Sequence, residues 1–281
     1  MRKGFRIILI FSCLAVFFSC KTEFEKVRTS GDPKLLLETA NKYFDEGEYQ
    51  KAQTLYELII PVYRGQKELE DIYYRYAYTY YNLESYILAA YYFENFGQTF
   101  GASPRREEID FMAAYSNYQL SPTFRLDQQY TITAIDKLQT FINTYSSSDK
   151  VEQANGLIDE LRKKLERKAF ESGKLYYEVR QYASALQSLE NLLKDFPETK
   201  RAAEVRYYII LATFEYAENS VIDKQEERYQ STLELGDAFI SKYSDSEFIN
   251  EVRTIRKKAE IKLDNIKNDD RYKVQGSVYR S

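Results

Sequence analysis

Apolar residues recur along most of the chain at the three- and four-residue spacing of amphipathic helices. Residues that break helices are scarce, with only 10 Gly and 5 Pro among 281 residues. So few breakers disfavour a turn-rich β-sandwich, a collagen-like chain and a disordered chain. The pattern therefore predicts an all-α protein.

Small residues recur in pairs along the helical pattern, with a tyrosine three residues after the first member of each pair. The members of three pairs are 12 residues apart: Ala40 and Ala52, Ala77 and Ala89, Gly173 and Ala185. This spacing resembles the tetratricopeptide repeat (TPR), a helix–turn–helix unit of about 34 residues. We expect the small residues to lie where paired helices cross closely, and Gly47 to end the first helix in a left-handed conformation.

Two further units follow the same pattern with a longer step. Ala114 and Ala134, like Ala212 and Thr232, are 20 residues apart. We expect the eight extra residues to lengthen the loop between the two helices, at 120–128 in the third unit and at about 219–227 in the fifth. Ser103–Pro104 is expected to be an N-cap followed by a first-turn proline.

The predicted fold is a TPR-like, right-handed superhelical solenoid of about five helix pairs. One long helix, from about 149 to 177, is expected to link an N-terminal half (33–148) to a C-terminal half (149–267). The polar segment 268–281 is expected to be a tail.

The N-terminus resembles a bacterial lipoprotein signal. Arg2, Lys3 and Arg6 precede an apolar run at 7–18, which is followed by Ser19 and Cys20. We expect residues 1–19 to be removed, Cys20 to carry lipid, and 20–32 to link that cysteine to the folded body. The body would then be periplasmic and anchored to the outer membrane. An ordinary secretory signal or a short anchor is the alternative.

Composition excludes several kinds of chemistry. The chain has no His, and both of its cysteines, Cys13 and Cys20, lie in the first twenty residues. His-dependent catalytic triads and His metal sites are therefore excluded. No catalytic constellation or phosphate-binding motif is present, and the net charge of −3 gives no case for binding nucleic acid. We expect no enzyme activity, no metal site, and no cofactor beyond the lipid on Cys20.

Six aromatic residues, which we call the aromatic stripe, form the candidate peptide- or client-binding groove. Two triplets have the same spacing and lie 37 residues apart: Tyr74, Tyr78 and Tyr81, then Phe111, Tyr115 and Tyr118. In TPR arrays the first helix of each unit lines the groove, so the two triplets are expected to lie side by side. Tyr78 and Tyr115 are expected not to be needed for packing between successive repeats. The alternative to a binding role is that all six residues only pack the repeats against one another.

One loop motif and several helical segments resemble the BamD family of outer-membrane assembly factors, the lipoprotein subunit of the β-barrel assembly machinery. The motif is S-P-x-x-x-x-D-Q in the third-repeat loop, formed here by Ser121, Pro122, Asp127 and Gln128. The resemblance implies a non-catalytic role in folding and inserting outer-membrane proteins. It implies that the N-terminal repeats receive unfolded precursors, and that the C-terminal repeats dock the periplasmic domains of the barrel-forming subunit.

Two other functions remain open at this stage. A different TPR-type outer-membrane lipoprotein, such as an adaptor for pilus or cell-wall assembly, would not need the loop motif. A glycan-binding lipoprotein would also use aromatic residues, but the absence of Trp, the largest stacking surface, makes this the weaker alternative.

Overall fold

The structure is a computed structural model that describes residues 22–268. That part of the chain is all-α. The predicted signal peptide, Cys20 and the tail from 269 onward lie outside the described residues. The helices are α1 (Glu23–Arg28), α2 (Pro33–Asp45), α3 (Tyr49–Ile59), α4 (Leu69–Asn82), α5 (Tyr86–Thr99), α6 (Arg106–Gln119), α7 (Gln129–Thr144), α8 (Val151–Glu178), α9 (Tyr182–Asp195), α10 (Ala202–Glu218), α11 (Ile222–Lys242) and α12 (Ile249–Asn268).

From α2 onward the helices form the predicted pairs. The five pairs are α2–α3, α4–α5, α6–α7, α8–α9 and α10–α11, and α12 packs on α11. The first helix of one unit also contacts the first helix of the next, as α2 does with α4 and α10 with α12. These contacts confirm a TPR-like helical repeat. The short helix α1 falls within the segment interpreted as a linker, and its Val27 is buried against the first repeats.

Close crossing of paired helices occurs at the small residues, as expected. Ala40, Ala52, Ala77 and Ala89 have no solvent exposure. At Gly173 on α8, a Cβ atom would lie 2.6 Å from Cδ2 of Leu189 on α9. Real Cβ atoms do not approach other atoms so closely, so Gly173 allows the two helix backbones to meet.

The turn between paired helices is the same in three repeats. Seven residues after the first small residue the backbone adopts a positive φ, at Gly47 (78°), Glu84 (58°) and Arg180 (61°). The next residue's N–H then donates to the carbonyl of the tyrosine that defines the pattern, as Glu48 does to Tyr43 at 2.8 Å. This is a Schellman-type helix end, and it explains why Gly suits the first of these turns.

The two lengthened units differ from each other. Residues 120–128 form the predicted loop between α6 and α7. The prediction for 219–227 is wrong, because α11 begins at Ile222 and the extra residues extend that helix. This segment contains neither Gly nor Pro, and its Lys, Gln and Glu residues favour helix. Only three residues separate α10 from α11.

Hydroxyl groups tie successive repeats together just before the first helix of a unit. Each such hydroxyl donates to a glutamate on the first helix of the preceding unit and accepts from the backbone N–H two residues further on. The pairs are Ser103–Glu70 (2.7 Å), Ser148–Glu107 (2.5 Å) and Thr199–Glu166 (2.5 Å). Ser103 is therefore a turn residue and not the predicted N-cap, since α6 begins two residues beyond Pro104, at Arg106.

The described chain divides into two compact units. The first comprises residues up to Ser121 together with Gln129–Ile158, and the second comprises Pro122–Gln128 and the chain from Asp159 onward. The core of the first unit includes Tyr56 and Phe93, and that of the second includes Phe170, Leu189 and Val205. The predicted long helix is confirmed, because α8 runs unbroken for 28 residues and includes the point where the units divide.

Breaking α8 should be more costly than losing a side chain from it. Leu161 on α8 is fully buried, with 0% exposure. Leu161→Ala removes buried apolar atoms and should cost about 2–5 kcal/mol. Leu161→Pro also removes a backbone donor and introduces a clash, so it should cost about 3 kcal/mol more. Chemical denaturation of both variants measures the difference, and equal free energies of unfolding would contradict an unbroken helix here.

Candidate peptide-binding site

The aromatic stripe lies on two neighbouring first helices of the first unit. Three of its residues lie on α4 and three on α6. The two rows meet at Tyr81 and Tyr115, whose ring centroids are 6.3 Å apart. The prediction that the triplets lie side by side is therefore confirmed by a direct contact.

Glu108 on α6 joins the row on α4 to the row on α6. Its Oε1 atom accepts hydrogen bonds from the hydroxyls of both Tyr74 (2.8 Å) and Tyr78 (2.5 Å). The guanidinium of Arg105, one turn earlier, lies 4.3 Å from the centre of the Tyr74 ring and forms an ion pair with Asp71 of α4. The hydroxyl edges of Tyr74 and Tyr78 are thus held by the next repeat.

The α6 row is a stack of nearly parallel rings. Tyr115 lies between Phe111 and Tyr118, at centroid distances of 5.8 Å and 5.5 Å and interplanar angles of 10° and 9°. Phe111 is only 4% exposed and packs on Phe141 of α7. Phe111 therefore supports the row from within the core, while Tyr115 and Tyr118 remain partly exposed.

Tyr78 contributes to packing between repeats, contrary to expectation. Its hydroxyl is bound by Glu108, and its ring packs against Phe93 of α5 at 5.1 Å. Replacing it would disturb the scaffold as well as any bound ligand. Tyr115 also contacts the preceding repeat, through the Tyr81 ring 6.3 Å away, so the same expectation is wrong for Tyr115. Tyr115 and Tyr118 are still the better residues with which to test binding, because their rings pack on other rings of the stripe.

The same contacts change the ionisation of the tyrosines. Burial, followed by the hydrogen bond to the Glu108 carboxylate, raises the pKa of Tyr78 and the pKa of Tyr74 above the ordinary value. Burial also raises the pKa of Tyr81. Tyr74, Tyr78 and Tyr81 therefore stay neutral phenols at neutral pH. A phenol combines apolar ring faces with a hydroxyl able to donate and accept hydrogen bonds. Such a surface suits an extended segment that carries aromatic or apolar side chains.

The loop motif has a structural role within the second unit. Gln128 is 5% exposed, and its Nε2 atom donates to the carbonyls of Thr123 and Leu126, each at 2.9 Å. Lys168 of α8 donates to the carbonyl of Leu126 at 2.7 Å, and the Arg167 guanidinium lies 4.2 Å from the centre of the Phe124 ring. These contacts fix the segment 122–128 on α8.

The other motif residues lie beside these anchors. Ser121 belongs to the first unit and shares a 2.7 Å hydrogen bond with the Thr131 hydroxyl of α7. Pro122 is the first residue of the segment 122–128, which belongs to the second unit, and Asp127 is the last but one. The motif thus holds the loop in one shape. Arg125 of the loop and Lys174 of α8 line a cavity of about 360 Å³.

Sequence reasoning missed Glu108, although it is the residue that links the two rows. It lies three residues before Phe111, on the same helix face. An acid there looks like an ordinary solvated charge. Only the pairing of α4 with α6 shows that two tyrosine hydroxyls, 30 and 34 residues away in sequence, converge on it.

The repeated helix pairs place this chain in the class of TPR-like helical-repeat proteins. Residues 29–227 match the model of the YfiO family, described as outer membrane lipoprotein. The chain therefore belongs to the YfiO family of outer membrane lipoproteins. No helix of the described residues 22–268 is both long and apolar enough to cross a membrane.

Comparison with other proteins gives only distant likenesses. The sequence matches no curated protein at a significant level. Among solved structures, it is similar to the TPR2AB domain of yeast Sti1 in its pHSP90 complex, with 14% identity, a TM-score of 0.37, and coverage of 81% of this chain and 98% of that one. It is also similar to a thermophilic TPR protein of Thermus thermophilus, with 14% identity, a TM-score of 0.29, and coverage of 82% and 100%. The fold assignment rests on the helix pairs themselves.

Replacing Tyr78 by Phe tests the link through Glu108. Losing a hydrogen bond to a carboxylate should lower the free energy of unfolding by about 1.5–3 kcal/mol at pH 7. The folded pKa of Tyr78 is raised, so the unfolded chain loses this proton first and wild-type stability should fall as pH rises past about 10. Tyr78→Phe should reduce that slope by up to about 1.4 kcal/mol per pH unit.

Urea denaturation at pH 7, 9 and 11 measures both effects. The control is Tyr91→Phe, because Tyr91 is 55% exposed on α5. An unchanged stability and an unchanged pH slope in Tyr78→Phe would show that Glu108 does not hold this tyrosine.

Proposed function

We propose that this protein is a BamD-like subunit of the outer-membrane β-barrel assembly machinery. It acts without catalysis, as a scaffold and receptor that assists the folding and insertion of outer-membrane proteins. Its membership of an outer membrane lipoprotein family supports the location, and the aromatic stripe supports the receptor role.

The observation that carries the proposal is the row formed by Tyr81, Tyr115 and Tyr118. These partly exposed rings form a continuous surface across two repeats. A strand of an outer-membrane barrel alternates apolar and polar residues and carries aromatic girdle residues near its ends. In unfolded form it offers side chains that stack on tyrosine rings and backbone groups that bond to phenol hydroxyls.

The second unit has a separate role in this proposal. The folded barrel-forming subunit would dock there, while unfolded precursors would bind the first unit. Division into two compact units, each with its own core, is consistent with two separate binding tasks. Lipid on Cys20 would hold the periplasmic body at the outer membrane.

A peptide that copies the final strand of an outer-membrane barrel should bind the aromatic stripe. Tyr115→Ala and Tyr118→Ala remove central contact area, which typically costs about 2 kcal/mol or more of binding free energy. Each variant should therefore weaken binding at least about tenfold in fluorescence anisotropy. Tyr91→Ala, which removes an exposed tyrosine elsewhere in the same unit, should leave the affinity unchanged.

Circular dichroism and the melting temperature show whether each variant is folded. Unchanged affinity in folded Tyr115→Ala and Tyr118→Ala would make the stripe a scaffold only. An oligosaccharide panel provides a second contrast, because tighter binding of a glycan than of the strand peptide would favour a glycan-binding lipoprotein instead.

Anchoring through Cys20 has its own test. Cys20→Ala removes the thiol that would carry lipid, so the protein should move from the outer-membrane fraction to the soluble periplasmic fraction. Immunoblotting of fractionated cells detects this change. A variant that stays with the membrane after a high-salt wash would rule out lipid as the anchor.

A further inference from the structure

The second unit contains an apolar pocket between α9, α10 and α11. Its volume is about 290 Å³. Leu193 of α9, Ile209 and Ile210 of α10, and Leu235 and Phe239 of α11 provide the apolar walls. Glu190 and Lys242 are exposed at its rim. Ligand pockets in proteins begin near this size, and a pocket of this volume accepts roughly one or two side chains.

Besides Glu190 and Lys242 at the rim, a third charged side chain lines this pocket. Arg206 of α10 contributes its side chain to the lining. Its Nε atom is buried and, among the described residues, has no hydrogen-bond partner. A guanidinium always carries its charge and its five donors. A buried donor with no acceptor costs stability, commonly about 1–3 kcal/mol.

Arg206 occupies the repeat position that Glu108 occupies in the first unit. Glu108 lies three residues before Phe111, and Arg206 lies three residues before Ile209, the corresponding apolar position of the fifth repeat. In the first unit the acid receives two hydroxyl donors from its own chain. In the second unit the sign of the charge is reversed, and the Nε donor has no acceptor among the described residues.

From this geometry we infer that the pocket binds an acidic side chain, with the apolar residue next to it, from a partner protein. The carboxylate accepts from Arg206, and planar carboxylates fit the guanidinium donors. The neighbouring apolar side chain fills the space between Leu193, Leu235 and Phe239. Charge complementarity selects the acid, since the Arg206 guanidinium carries a fixed positive charge at the wall of the pocket.

This inference is independent of what binds the aromatic stripe. It concerns different helices in the other unit and a ligand of different chemistry. Failure of the strand peptide to bind would not affect it, and loss of the Arg206 site would not affect strand binding.

The test observes Arg206 directly in the full-length chain in detergent, with ¹⁵N-labelled arginine. The probe is N-acetyl-leucyl-glutamate amide, and its neutral match is N-acetyl-leucyl-glutamine amide. The acidic dipeptide should shift the Nε–Hε resonance that disappears in the spectrum of Arg206→Met. The neutral dipeptide should bind at least about tenfold more weakly, because it offers no charged acceptor.

Two variants complete the test. Arg206→Met should abolish binding of the acidic dipeptide without lowering the melting temperature, because it removes a buried donor that lacks a partner. Arg253→Met is the matched control, since Arg253 is an exposed arginine on α12 of the same unit, and it should bind as the wild type does.

Four outcomes would overturn the inference. These are equal affinity for the acidic and neutral dipeptides, equal loss of binding in both variants, and binding of acetate alone as tightly as the acidic dipeptide. The fourth is an Arg206 resonance that moves with protein concentration alone, which would assign the pocket to a second copy of this chain.

Discussion

The close crossing of paired helices at small residues is the constraint on which the remaining structure depends. Where Gly173 meets Leu189, a single added methyl group would lie 2.6 Å from a buried side chain. Such a contact fixes which face of each helix points inward. The positions of Tyr78 and Tyr81 follow, since they lie one and four residues beyond the buried Ala77. The same offsets from Ala114 place Tyr115 and Tyr118.

The aromatic stripe combines a structural part with an accessible part. Phe111 and Tyr78 mainly hold the repeats together, the first through the core and the second through Glu108. Tyr81, Tyr115 and Tyr118 remain partly exposed on that support. Side chains that are already held in place lose little conformational entropy when a ligand binds. The structure therefore assigns packing to Phe111 and Tyr78, and the proposed ligand binding concerns the other three residues.

Sequence spacing alone predicted the helix pairs, the 120–128 loop and the long helix α8, because these depend on local helical period and on residues that end helices. It placed the extra residues of the fifth unit wrongly, because a segment such as 222–227 becomes a helix when it extends an existing one. Glu108 and Arg206 could not be recognised from sequence. Their roles depend on which side chains from distant segments surround a charge, and a charged residue in sequence resembles any solvated one.

The central claim is that Tyr118 faces a bound precursor while the exposed Tyr91 does not. Placing the photo-crosslinking residue p-benzoylphenylalanine at each position in turn, in growing cells, tests it most directly. Illumination should give adducts with unfolded outer-membrane proteins from position 118, and the yield at position 91 should be at background. Adducts from position 91 with none from position 118 would contradict the account.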